Sequence, residues 1–234
     1  MESKTRTQAI EAVKKEDLLW VYDLMVRARE LDEAEIRLRR QGAFQFQLSC
    51  SGHEAIQAVA AKLLRPGKDW FYPYYRDRTF AYGLGMTPAD LFRQPLGKRT
   101  DPSSGGRQMP NHFASPELNI VSQSSPTGTQ FLQAVGTAEA NKIVRSLPPN
   151  PSLPAGSEDE VVYVSSGDGA TSQGDFYEAI SSASLNKLPV LFVIQDNGYA
   201  ISVPTDVQTP GASISRTFQD FPGLFVREID GVDV

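Results

Sequence analysis

Hydrophobic and polar positions follow two different periods along the chain, and the switches between them mark out its elements. Residues 161–164 (VVYV) are a short apolar run rich in β-branched side chains, the signature of a buried parallel strand. Gly167-Asp168-Gly169 follows at once. Ala179, Ile180, Ala183 and Leu185 then recur at helical spacing, and Pro189 ends that helix. Residues 190–194 (VLFVI) predict a second buried strand, closed by a turn at Asp196-Asn197-Gly198. The pattern is a βαβ unit with a carboxylate after its first strand and a carboxamide after its second.

The remaining elements follow from the same signals. Residues 15–41 predict one long helix, with Leu18, Leu19, Tyr22, Met25, Val26, Leu31 and Ile36 as its apolar positions, Arg37, Arg39 and Arg40 on a solvated face, and Gly42 as its stop. Residues 52–64 predict a small-residue helix ended by Pro66-Gly67. Residues 69–78 (DWFYPYYRDR) read as an aromatic core strand carrying surface charges. Thr87 and Pro88 supply an N-cap and a first helical residue. Residues 95–122 form a long loop containing GGRQMPNHF and His112, and loops of that length often serve function. Residues 124–147 begin as a loop and become a helix whose Ala134, Gly136, Ala138 and Ala140 allow close packing. Residues 148–160 read as a proline-rich surface connection, and residues 225–229 as one more strand.

Composition narrows the class. A chain of 234 residues suffices for one substantial domain, expected here over 1–234 with a helical lead-in over 1–50. A net charge of −5, with both signs mixed, gives no basis for a nucleic-acid surface. Cys50 is the only cysteine, which excludes a disulfide framework and points to a reducing compartment. No apolar run approaches a membrane span, and the first residues lack a signal-peptide core. A cytoplasmic protein without membrane or nucleic-acid partners is the expectation.

The chemistry follows from where the glycines fall. Ligands of an open parallel sheet sit beyond the carboxyl ends of its strands. Gly167 and Gly169 let the backbone approach a phosphate, and the helix after them aims free N–H groups at it. Asp168 would repel that phosphate unless a cation intervened, and Mg²⁺, bound through one or two protein groups plus phosphate and water, is the natural mediator. Asn197 offers a carboxamide oxygen and Tyr199 a backbone carbonyl. Two other readings fit the same residues: a plain turn, or a dinucleotide site built from Gly167, Gly169 and Asp196, although Ser172 stands where that motif needs its third glycine.

Gly167-Asp168-Gly169 with the spaced Asn197 resembles the thiamine diphosphate–Mg²⁺ motif. GDGATSQGDFYEA and NGYAISVP resemble the α subunit of the E1 component of 2-oxo acid dehydrogenase complexes. GGRQMPNHF is more similar to the branched-chain type than to the pyruvate type. The resemblance runs from about Leu18 to the end and departs at Asp196, where the family usually has a second asparagine. It implies a thiamine diphosphate-binding α/β fold, a mostly parallel sheet with helices on both faces. It further implies Mg²⁺ on Asp168, Asn197 and Tyr199, and the diphosphate on Tyr75, Arg76, Gly167, Gly169 and Ala170. Ser125 and Thr127 would approach the aminopyrimidine. In some members K⁺ binds at positions matching Ser124, Pro126, Thr129 and Gln130.

The implied function is oxidative decarboxylation of a branched-chain 2-oxo acid with acyl transfer to a lipoyl-bearing E2, in an oligomer with an E1 β subunit or a fused β half. The alternatives are a pyruvate- or acetoin-type E1 α subunit, or a non-catalytic module keeping the fold. No catalytic residue is assigned within the chain; His53 is read as a structural or interface residue, and His112 as a loop residue not expected to touch substrate or cofactor. The family's last sheet elements are expected to be missing after Val234, so that the chain alone is expected to be inactive.

Overall fold

The structure, a computed structural model, describes residues 13–148 and 159–233. Residues 1–12, read as lacking a signal-peptide core, and most of the proline-rich connection expected over 148–160 lie outside the described residues.

Helix α1, Lys15–Arg40, has Glu16 and Asp17 in its first turn and Arg37, Arg39 and Arg40 in its last, matching the helix dipole, and Gly42 follows it at φ +78°. Its length is as expected, but its buried face is not. Val21, Leu24, Ala28, Asp32 and Glu35 point inward, while Leu18, Leu19, Tyr22 and Val26 are exposed. The two acids can be buried because Arg78 bonds to both. Helix α2, Glu54–Leu63, and helix α3, Arg78–Leu84, pack against α1. The three meet at Gly83, where an added Cβ would lie 2.6 Å from Ala61 Cβ and 2.8 Å from Leu24 Cδ2.

The aromatic segment is strand only over β1, Trp70–Tyr72. Its flanking charges are not on the surface: Asp69, Asp77 and Arg78 are all buried. Helix α4, Pro88–Arg93, starts on a capping box between Thr87 and Asp90. Helix α5, Thr129–Ser146, leads towards β2, Val162–Gly167, then α6, Gly174–Asn186, and β3, Val190–Gln195. The three strands form a parallel sheet in the order β1-β2-β3, with Trp70 opposite Val162 and Gly167 opposite Gln195.

Side chains alternate across β2. Val162 and Val164 join Phe131, Ala134, Phe176 and Ile180 of α5 and α6 on one face. Tyr163 joins Phe71, Phe80, Ala61 and Leu84 on the other, stacking on Phe80 with ring centroids 4.2 Å apart. Helices thus cover both faces, as the α/β expectation required.

Three local expectations need correction. β3 is half-buried rather than buried, because among the described residues nothing pairs beyond it. Leu185 does not belong to the packed face of α6 and is exposed, whereas Ala179, Ile180 and Ala183 are buried. Residues 225–229 are extended but pair with no described strand, and Phe225 and Ile229 face outward.

Candidate functional site

The site is built on the carboxyl ends of β2 and β3, which register places side by side. After β2 the chain makes a 3₁₀ turn, Asp168–Ser172, and α6 starts only at Gly174. The expected helix directly behind the glycines is therefore a tighter turn. The Asp168 carboxylate is buried, and its Oδ2 has no hydrogen-bond partner. Its backbone carbonyl accepts from Thr171 Oγ1 at 2.8 Å and Gln208 Nε2 at 3.1 Å, so the turn is held from both sides. Burial and then the charge of Asp196 raise the pKa of Asp168, while backbone N–H groups, including those of Asn197 and Gly169, oppose the rise.

Asn197 is exposed in the turn after β3, and its Oδ1 accepts from the Tyr199 N–H at 3.2 Å. Asp196 Oδ1 accepts from the Gly198 N–H at 2.8 Å, with Gly198 at φ +83°. The chain then folds into a hairpin of β4, Tyr199–Ala200, and β5, Val203–Pro204, followed by a short helix α7, Thr205–Gln208. The hairpin presses on the Asp168 turn: a Cβ at Gly169 would lie 2.8 Å from Ala200 Cβ. Gly169 is thus needed for a close approach within the protein.

A buried carboxylate oxygen with no donor is costly, and a second acid within electrostatic reach increases the cost. A cation would relieve both. Among the described residues there is no group of three or more His, Cys, Asp or Glu side chains that could hold a metal ion. The donors on hand are one carboxylate, one carboxamide and backbone carbonyls, a hard oxygen set that leaves positions for phosphate and water and fits Mg²⁺.

The β1–α3 loop supplies a cation. Arg76 is half-buried, donates from Nη1 to Ser49 O at 2.8 Å, and lies 5.3 Å over the ring of Tyr75. Its guanidinium is already oriented before any ligand arrives. Tyr74, beside it, is buried with an unpartnered hydroxyl, and its ring lies 3.7 Å from where a Gly167 Cβ would be. Burial and then Asp77 hold the Tyr74 phenol well above its usual range, and Asp168 adds to this. His53, the residue before α2, has its pKa lowered by burial and then by Arg76, with Glu54 and Asp168 opposing. It therefore faces the same charged region, although no cap bond or catalytic partner attaches to it.

Ser125 and Thr127 are exposed ahead of α5, and Ala170 is buried within the Asp168 turn. Ser125 Oγ lies 3.0 Å from His112 Nε2, and the His112 Nδ1 lies 3.2 Å from Pro110 O. His112, itself buried, thus ties the long loop to the Ser125 segment. Gly128, at φ +90°, sits where a Cβ would be 3.2 Å from Gln173, which brings the start of α5 against the start of α6. Of the four K⁺ positions, Thr129 Oγ1 donates to Pro126 O at 3.1 Å and Gln130 Nε2 to Ser165 O at 3.1 Å; Ser124 is half-buried.

Sequence reasoning missed the polar layer beneath these residues: Asp77, Gln195 and Gln57, all buried, and the hydroxyl of Tyr74. The only signal was a charge beside an aromatic run, which reads equally well as surface.

A family profile described as dehydrogenase E1 component matches residues 22–234. The chain is 38% identical over 234 residues to the 2-oxoisovalerate dehydrogenase subunit alpha of Bacillus subtilis, covering 99% of this chain and 67% of that protein. It is 35% identical over 221 residues to the 3-methyl-2-oxobutanoate dehydrogenase subunit alpha of Mycobacterium tuberculosis, covering 94% of this chain and 53% of that one. It is 34% identical over 222 residues to the pyruvate dehydrogenase E1 component subunit alpha of Staphylococcus aureus, covering 93% of this chain and 52% of that one. The chain thus spans about two thirds of the first relative and about half of the others.

Proposed function

The chain belongs to the dehydrogenase E1 component family, and from that premise we propose that it acts as the alpha subunit of a thiamine diphosphate-dependent 2-oxo acid dehydrogenase of branched-chain type. The reaction is oxidative decarboxylation of the 2-oxo acid, with the acyl group passed to a lipoyl group on an E2 partner. The observation that carries the proposal is the buried Asp168 carboxylate with its unpartnered Oδ2 at the end of β2. The family match and the similarity to branched-chain alpha subunits support the choice of reaction and substrate class.

Thiamine diphosphate, when bound, supplies the thiazolium that accepts the electron pair released on decarboxylation. The chain's own residues bind and orient it. Asp168, with the Asn197 carboxamide and the Tyr199 carbonyl, would hold Mg²⁺, whose charge would offset that of the acid. Arg76 would give the diphosphate a charge-assisted contact and Tyr75 a neutral one, and the backbone at Gly167, Gly169 and Ala170 would help to hold it. Ser125 and Thr127 would approach the aminopyrimidine, with His112 holding Ser125. K⁺ at Ser124, Pro126, Thr129 and Gln130 would rigidify that segment. A beta subunit completes the site, in keeping with relatives named as alpha subunits. No described helix is long and apolar enough to cross a membrane, and the proposed location is the cytoplasm.

The test is steady-state turnover of the chain assembled with a beta subunit, using an artificial electron acceptor, Mg²⁺ and thiamine diphosphate. 3-Methyl-2-oxobutanoate is expected to exceed pyruvate in kcat/KM by at least about tenfold, the range that a pocket shaped for extra methyl groups supplies. A preference for pyruvate would overturn the branched-chain assignment. Cofactor binding without turnover of any 2-oxo acid would mark a non-catalytic module.

A further inference from the structure

Two of the buried acid networks among the described residues differ in kind. In the first, Arg78 donates to Asp32 and Glu35 and to Asn111 Oδ1, so a cation answers the acids. The second has no cation. Asp77 is fully buried and accepts only from neutral donors: Gln195 Nε2 at 2.6 Å, the Tyr74 N–H at 3.3 Å, and Ser165 Oγ. Gln195 Oε1 in turn accepts from Gln57 Nε2 at 2.8 Å, and the same nitrogen donates to the Arg76 carbonyl at 3.0 Å. Gln57 Oε1 accepts from the Phe80 N–H at 3.4 Å. The circuit starts next to Arg76 and returns to it.

Burying an acid without a cation is expensive, and a hydrophobic side chain would fill the space at less cost. What an apolar residue could not do is draw three donors to one point. Those donors are placed with respect to the cofactor groups. Ser165 lies three positions before Asp168 on β2, Gln195 two positions before Asn197 at the end of β3, and Tyr74 directly before Tyr75 and Arg76.

We propose that Asp77 is a positioning residue for the cofactor: its hydrogen bonds to Ser165, Gln195 and the Tyr74 N–H fix the ends of β2 and β3 and the Tyr75–Arg76 loop relative to one another. This rests on the thiamine diphosphate reading given above. Asp77 touches no phosphate or metal. It acts by setting the spacing between Asp168, Asn197 and Arg76, and geometric errors of about 1 Å at such a site can cost up to roughly a hundredfold.

The experiment is calorimetric titration of thiamine diphosphate at saturating Mg²⁺, in the chain assembled with its beta subunit. Asp77→Ala is expected to raise Kd by at least about tenfold. Asp77→Asn, which keeps an acceptor for Gln195 and can donate to Ser165 but loses the acceptor for the Tyr74 N–H, is expected to recover part of that loss. Glu35→Gln is the control for general destabilisation: it weakens the cation-paired network, lowers the melting temperature, and is expected to leave Kd unchanged. If Asp77→Ala does not fold, Gln195→Met, which cuts the Asp77 link to β3 together with the Gln57 bond to Gln195, carries the same expectation. An unchanged Kd in the folded variant, or an equal rise in Glu35→Gln, would overturn this inference while leaving the cofactor reading intact. A parent protein that binds no thiamine diphosphate would overturn both.

Discussion

Replacing Gly169 with alanine tests the contact between the Asp168 turn and the β4–β5 hairpin. Gly169 is not in the left-handed region, so alanine is permitted by its backbone and only space decides the outcome. The new Cβ would lie 2.8 Å from Ala200 Cβ and 3.5 Å from Ala200 Cα. Carbon atoms prefer about 3.5–4.0 Å, so the two segments must part by roughly 1 Å. The obstacle is a strand backbone and its first carbon, not the end of a flexible side chain. Overpacking of this kind costs about 1–3 kcal/mol, read by urea unfolding. The parting also separates Asp168 from Asn197, and calorimetry should show thiamine diphosphate affinity falling about ten- to a hundredfold. Ala200→Gly in the same chain removes the obstructing methyl, so the double variant should bind better than Gly169→Ala alone and recover at least about 1 kcal/mol of stability as a coupling energy. A single variant with parental stability and affinity would refute the reasoning, as would a double variant no better than the single.

Arg78→Met should destabilise the fold by about 3–5 kcal/mol in urea unfolding, because it leaves Asp32 and Glu35 buried without their cation; a loss below 1 kcal/mol would contradict the pairing. Burial raises the Asp77 carboxyl from 3.8 to about 7, with its hydrogen bonds from Ser165, Gln195 and Tyr74 opposing. A raised acid keeps its proton in the folded state, so its stabilising contribution is complete below its unfolded pKa and is lost as pH rises towards 7. The stability of the parent relative to Asp77→Asn should therefore fall between pH 4 and 7 and level off above, and a pH-independent difference would count against it. Ile201 is fully exposed at φ +60° in the turn between β4 and β5. Ile201→Asn should raise stability by about 1 kcal/mol, since asparagine tolerates the left-handed region better than a β-branched residue; no change in the unfolding midpoint would place the strain elsewhere.

The βαβ unit was legible because its strands are apolar runs bounded by glycine turns, and local pattern alone determines such elements. Thr87 and Asp90 were likewise readable as a helix start because a cap is a contact within four residues. What was not legible depended on partners far along the chain. Asp32 and Glu35 count as polar in any local window, yet they are buried because Arg78 lies 46 and 43 positions away. Their burial turns α1 so that Leu18, Leu19, Tyr22 and Val26 face outward. Asp77 was misread for the same reason, since its donor Gln195 is 118 positions distant. Residues 225–229 have strand-like composition, but a strand also needs a neighbour, which composition does not encode. Asp168 and Asn197 were picked out by the motif as candidates, whereas the unpartnered Oδ2 and the approach of Ala200 to Gly169 exist only in three dimensions.

The central claim is that Asp168 holds the metal that carries thiamine diphosphate. Its most direct test is calorimetric titration of the cofactor with and without Mg²⁺, in the parent assembly and in Asp168→Ala. The account predicts Mg²⁺-dependent binding by the parent and a loss of at least about a hundredfold in the variant. It also predicts a melting temperature for the cofactor-free variant no lower than the parent's, because a buried, unpartnered carboxylate has been removed. Binding that ignores Mg²⁺, or a folded Asp168→Ala assembly with parental affinity, would contradict it.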